Sequence, residues 1–155
     1  MKFEHVIEVN RYPDNDGATL DREALWQGLL SRAEDACPFV EGLDLCKIVG
    51  RTEDRLQREL HFGQTVVKDS VTLDSYQSVC FESTATDDQT GGMLTISIEE
   101  PEPGKLFLRF SYITSFDETR DENSPYTDFI CSAYYQSDMD TVRIIRMMAS
   151  SGHNN

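Results

Sequence analysis

Arg58 lies between Leu56 and Leu60 in the stretch LQRELHFGQTVVKDSV, residues 56–71, at the two-residue spacing that lines one face of a strand. A guanidinium on an apolar face needs a partner, because an unpaired buried charge is costly. If Gly63 and Gln64 form a two-residue turn, Phe62 pairs with Thr65 and Arg58 falls opposite Asp69. The same register sets Leu60 against Val67 and Leu56 against Val71 on that face, with Glu59 against Lys68 and Gln57 against Ser70 on the other. Two opposite-charge pairs in one register support each other. The Arg58 and Asp69 pair then has two readings. It can lie at a rim or on an exposed face, worth about 0 to 1 kcal/mol as surface ion pairs are. Alternatively, a desolvated guanidinium can recognise a ligand carboxylate or enolate, whose oxygens fit its planar fork.

Other polar groups could serve the same chemistry. Tyr112 alternates with Leu108 and Phe110, and Tyr134 falls on the inward stripe of a long C-terminal helix. Both hydroxyls can enter a cavity or simply be satisfied within a core. Glu82 and Arg109 sit on strands whose facing the pattern leaves open. Trp26, on an early helix, reads as core packing or as a ring at a pocket mouth that stacks on a flat ligand. Arg58, Asp69, Tyr112, Tyr134, Glu82 and Trp26 are therefore the candidate ligand-binding residues, and no catalytic residue is assigned.

Several chemistries fit poorly. The loop from Tyr12 to Glu23 places Asp14, Asp16, Gly17 and Glu23 where a calcium loop has ligands and its glycine, but Tyr12 replaces the first ligand and a strand precedes it. His5, His61 and His153 are too few and too scattered for a metal site or a triad. Cys37, Cys46, Cys80 and Cys131 form no C-x-x-C pair and read as reduced, mostly buried thiols. The TGG at 90–92 is flanked by strands, so it reads as a hairpin turn and not a phosphate loop. No metal and no cofactor is expected.

The elements that must position these groups follow in a clear order. Residues 2–10 alternate as a strand, PDNDG is a loop, and a helix begins near residue 20 with Thr19 or Asp21 as cap and Trp26, Leu29, Leu30 and Ala33 at helical spacing. Pro38 breaks that helix, and CPFVEG is expected to add a second short one. From residue 43 to 115, six alternating runs joined by turn residues predict consecutive antiparallel hairpins. Ser124 followed by Pro125 caps a helix to about residue 149. Its expected inward stripe is Tyr126, Phe129, Ile130, Ala133, Tyr134, Ser137, Thr141, Ile144, Ile145 and Met148. Residues 1–149 make one domain, and 150–155 a flexible polar tail.

The chain carries 14 basic and 28 acidic residues, a net charge of −14 that repels nucleic acid and anionic lipid. The acidic runs at 87, 99 and 117 read as solvated surface. No run approaches the roughly 20 apolar residues of a membrane span, and the N-terminus lacks a signal peptide's apolar block. The expected compartment is the cytoplasm.

One strand, two short helices, six more strands and a long helix is the element order of the α+β helix-grip fold. The pieces MKFEHVIEVN, LWQGLLSRAEDACPFVEGL, GGMLTISIEEPEPGKLFLRFSY and SPYTDFICSAYY resemble the AtaL-like family of START-like (SRPBCC) proteins from Met1 to about Met148. The resemblance implies a seven-stranded curved antiparallel sheet gripping the C-terminal helix. It also implies a cavity between them, which relatives use for lipids, sterols, polyketides or plant hormones. It brings no catalytic motif. Two functions remain open: binding of a hydrophobic or aromatic metabolite, or a cofactor-free cyclase, dehydratase or isomerase. In the second, Asp69 or Glu82 would be the base and Arg58 or Tyr112 would stabilise an enolate.

Overall fold

The computed structural model describes residues 2–11, 18–86, 91–114 and 125–151, with side chains from residue 128 onward in the last segment. Residues 12–17, the acidic runs at 87 and 117, the expected cap at Ser124, the Tyr126 side chain and residues 152–155 lie outside the described residues.

Alternation along the chain produces seven strands: β1 (Lys2–Glu8), β2 (Leu45–Arg51), β3 (Arg55–Phe62), β4 (Thr65–Asp74), β5 (Ser78–Ser83), β6 (Gly92–Glu102) and β7 (Lys105–Thr114). They form one curved antiparallel sheet in the order β1-β7-β6-β5-β4-β3-β2, so the first strand docks beside the last. In the β3–β4 hairpin, Gly63 supplies the positive φ of +59° that the tight turn requires. The register is the predicted one, with Arg58 opposite Asp69 and Glu59 opposite Lys68. The second charge pair does not close. Glu59 lies instead 3.5 Å from His61 Nε2, two residues along its own strand.

Helix α1 (Arg22–Glu34) starts at Asp21, whose carboxylate accepts the Ala24 N–H at 2.8 Å. It buries Leu25, Trp26, Gly28, Leu29, Arg32 and Ala33, a single face at helical spacing. The second expected helix is a correction: residues 36–42 make one turn, in which the Ala36 carbonyl accepts from both Phe39 and Val40. Pro38 has no N–H to extend a ladder, and Gly42 at φ +83° turns the chain away.

Helix α2 (Pro125–Ser150) lies against β1 and α1. A Cβ added at Gly28 would come 2.2 Å from Ile145 Cγ2, so the missing side chain is what lets the two helices touch. The expected stripe on α2 holds in part: Thr141 and Ile145 are buried and Tyr134, Ile144 and Met148 pack against the core, but the buried face is rotated from the stripe's centre. Phe129 is 72% exposed and Ala133 is exposed, whereas Asp138, Thr141, Val142, Ile145 and Arg146 are buried. The true inward face runs through 134, 138, 141, 142 and 145, a carboxylate among apolar groups.

The sheet face toward the helices carries Leu56, Val71, Val79, Phe81, Ile96, Leu108 and Phe110. Loop and helix ends are tied by polar contacts: Asn10 pairs both ways with the Leu20 backbone, and Arg22 binds the Tyr76 carbonyl and Glu100. At the far end of α1, Arg51 forks onto Glu34. The four cysteines are free and half-buried, less sheltered than expected. No helix among the described residues is long and apolar enough to cross a membrane.

Candidate functional site

Two polar groups are enclosed between the sheet and the helices. The first is the Arg58 and Asp69 pair, side chains 3% and 6% exposed. Nε and Nη2 of Arg58 donate to the two carboxylate oxygens of Asp69 at 2.8 and 2.6 Å. Nη1 donates to the carbonyls of Ala33 at 3.0 Å and Arg32 at 3.4 Å. Arg58 thus sits at the C-terminal end of α1, where backbone carbonyls lack helical donors and the helix dipole favours a cation. The rim or exposed-face reading of this pair does not hold: it is buried, and α1 covers it.

The second group was not anticipated. Asp138, at 0% exposure on α2, accepts the Tyr112 hydroxyl at 2.5 Å, and its other oxygen lies 2.6 Å from His5 Nε2. His5 comes from β1, where Phe3, His5 and Ile7 face inward between exposed neighbours. β1 beside β7 sets Phe3 level with Tyr112 and His5 level with Phe110. Tyr134, one helical turn before Asp138, stacks on Tyr112 with centroids 4.1 Å apart and planes 9° from parallel. Tyr112 and Tyr134, both candidates from the sequence, are therefore brought together.

Burial dominates the electrostatics here. It pushes the Asp138 carboxyl above the usual carboxylate range, against the opposing pull of the Tyr112 hydroxyl and His5. Burial also pushes the Tyr112 phenol up, and the adjacent Asp138 charge adds to this. Tyr112 is a proton-bearing donor, and His5 Nδ1 is buried without a hydrogen-bond partner. A carboxylate, an imidazole and a phenol in one hydrogen-bonded row can bind a polar ligand group or relay a proton.

Arg32 bears on both groups. It projects from α1 at 7% exposure, with its guanidinium 4.8 Å from the Phe81 ring centroid. Arg58 lies 5.1 Å from the same ring. Burial lowers the Arg32 pKa, and its charge interacts with Tyr112 and Asp138 as well as with Arg58 and Asp69.

The remaining candidates stand apart. Trp26 is buried in the core with its ring 5.8 Å from Tyr76. Glu82 is exposed, on the face opposite to buried Phe81. Arg109 also points outward, held between Glu4 and Glu99. His5, Arg32 and Asp138 escaped the sequence reading, although each shares a periodic position with buried apolar neighbours. Separately, a groove of about 320 Å³ runs between β1 and α2, lined by Ile7, Val9, Tyr135, Met139, Val142 and Arg143 among others.

The profile of the family described as AtaL, acetylaranotin biosynthesis cluster protein L, matches residues 7–152. The chain belongs to the AtaL family. No curated protein matches the sequence. Among solved structures, this AtaL-family chain is similar to the Zhui aromatase/cyclase from Streptomyces sp. R1128, at TM-score 0.59 and 13% identity over 92% of this chain and 91% of that one. It is similar to the di-domain aromatase/cyclase StfQ of the steffimycin biosynthetic pathway, at TM-score 0.64 and 11% identity, over 94% of this chain and 50% of that one. The Aha1 dimer from Colwellia psychrerythraea gives TM-score 0.59 and 13% identity over 94% and 96%. These likenesses establish the helix-grip fold of the AtaL-family chain.

Proposed function

We propose that this AtaL-family chain binds a small aromatic or polyketide-like metabolite between the concave face of its sheet and α2. Asp138 carries this reading. A carboxylate at 0% exposure is costly to maintain, and a core serving only stability would place an aliphatic side chain there. The row Tyr112, Asp138 and His5, beside the flat Tyr134 ring, offers hydrogen bonds and stacking to a ligand with one polar end. The family name refers to a biosynthesis cluster, and two similar folds are aromatase/cyclases, which agrees with such a ligand.

Native mass spectrometry of the protein purified from its own source tests the proposal. A retained small molecule is expected, and it should be absent from a folded Asp138→Leu variant. Bare protein in every preparation, with no binding recovered on adding source-cell extract, would count against it.

A second reading is a cofactor-free cyclase, dehydratase or isomerase, and the His5 to Asp138 contact of 2.6 Å favours it. Asp138 would hold the imidazole while His5 takes a proton beside a carbonyl, and Tyr112 would donate to the resulting enolate. Incubation with a linear poly-β-ketone thioester separates the two readings. A carrier returns it unchanged, whereas an enzyme returns a cyclised product lacking water.

A further inference from the structure

Arg32 is a buried cation that the described protein leaves without an ionic or hydrogen-bonding partner. Its Nε has no acceptor, and no carboxylate among the described residues forms an ion pair with it. The groups that might have served are engaged. Asp69 receives a fork from Arg58, and Asp138 is held by Tyr112 and His5. The carbonyls at the end of α1 accept from Arg58. A buried arginine normally binds a carboxylate or several carbonyls, since desolvating a guanidinium without compensation is among the larger penalties a fold can carry.

Position argues for purpose. Arg32 follows Leu25 and Leu29 by seven and three residues along the buried face of α1, so its inward placement is fixed by the helix and not by a flexible loop. Phe81 packs against the guanidinium at 4.8 Å, which holds it while its in-plane N–H groups stay available. That leaves an oriented fork on the same interior as the Asp138 carboxyl, whose charge acts on it.

Resting on the binding reading above, we propose that Arg32 is an anion-recognition residue, and that the ligand is an apolar or aromatic molecule carrying a carboxylate or an equivalent planar oxyanion. The fork of Arg32 takes the anion, and the row of Tyr112, Asp138 and His5 takes neutral hydroxyl or carbonyl groups of the same ligand. Arg58, the cation suggested by the sequence, instead fastens β3 and β4 to α1.

Isothermal titration with 2-naphthoate and its neutral counterpart 2-naphthamide tests this. Charge-assisted hydrogen bonds predict that the wild-type protein prefers naphthoate by about tenfold or more. Arg32→Met should abolish the preference while holding naphthamide affinity within about twofold, and Arg32→Lys, which keeps the charge without the fork, should fall between. The Tm of Arg32→Met should be unchanged or higher, because an unpaired buried charge is removed. Equal binding of both probes by wild type would overturn the anion site while leaving the binding reading intact. Failure of naphthoate to bind would overturn the anion site, and the binding reading would then stand or fall on the native mass spectrum alone. A lower Tm for Arg32→Met with the naphthoate preference retained would assign Arg32 to packing alone. Should Arg32→Met not fold, an Arg32→Lys variant with wild-type preference would refute the proposal, and one with a reduced preference would support it.

Discussion

Removing Asp69 should cost several times what a surface ion pair is worth. Asp69 and Arg58 are 6% and 3% exposed, and two hydrogen bonds of 2.8 and 2.6 Å join them. Asp69→Ala leaves the guanidinium with only the Arg32 and Ala33 carbonyls, and breaking a buried pair in this way costs about 3 to 5 kcal/mol. Arg58→Met should cost at least as much, because it strands the Asp69 carboxylate and also leaves the α1 carbonyls without donors. An unmet buried acceptor adds about 1 to 3 kcal/mol. The double variant Arg58→Met with Asp69→Ala removes both charges, so its main loss should be the carbonyl contribution of about 1 to 3 kcal/mol. Urea unfolding followed by far-ultraviolet circular dichroism gives all four corners of the cycle at pH 7. The double variant is expected to be more stable than either single one, with little change in coupling on adding salt, since buried pairs are weakly screened. A loss under about 1 kcal/mol for Asp69→Ala, the value of an exposed pair, would refute the claim that α1 and the sheet desolvate it.

Two further outcomes follow from the packing and the buried carboxyl. Gly28→Ala drives a methyl into Ile145, which is 1% exposed and has little room to yield, so a loss of about 1 to 3 kcal/mol is expected in thermal or urea unfolding; an unchanged stability would mean that α1 and α2 do not meet as described. Burial raises the Asp138 pKa, so the folded protein holds a proton that the unfolded chain releases above about pH 4. That contribution is fully present below the unfolded pKa and is lost as pH rises through the folded one. Wild-type stability minus that of Asp138→Asn should therefore decline with pH across this window, even though Glu4, Glu34, Glu99 and Glu100, with lowered pKa values, push total stability the other way. A difference curve that climbs with pH would contradict the assignment.

The β3–β4 register was legible because short-range chemistry over-determines it. Gly63 suits the turn, the strand period is 2, and a one-residue slip would place Leu56 and Leu60 on the wrong face. The C-terminal helix was legible as a helix but not in rotation. The predicted stripe runs from exposed Phe129 and Ala133 to buried Thr141 and Ile145, whereas the buried face is centred a fraction of a turn away and takes in Asp138 and Val142. The predicted stripe admitted hydroxyls such as Tyr134 and Thr141 but not a carboxylate, so it passed over Asp138 and leaned away from the true face. The same assumption passed over Arg32 on α1 and His5 on β1, where an ionisable residue is ordinarily expected to face water.

These three departures from apolar patterning lie far apart in sequence, and nothing local links them. Only the closure of the sheet by β1 against β7, with α1 and α2 packed over it, gathers residues 5, 32, 112 and 138 into one interior. Each polar side chain taken alone weakens the core it occupies, yet the three occur on three elements and converge. If the departures were incidental, they would be expected to be satisfied locally and separately, as Arg109 is on the outer face by Glu4 and Glu99. Instead Arg32 Nε and His5 Nδ1 remain unmet inside the fold, while Arg58, the most conspicuous charge in the sequence, is fully occupied in holding α1 to the sheet. On the proposed reading, the division of labour between two neighbouring arginines, one fastening α1 to the sheet and one left to meet a ligand, would make the interior a site as well as a core.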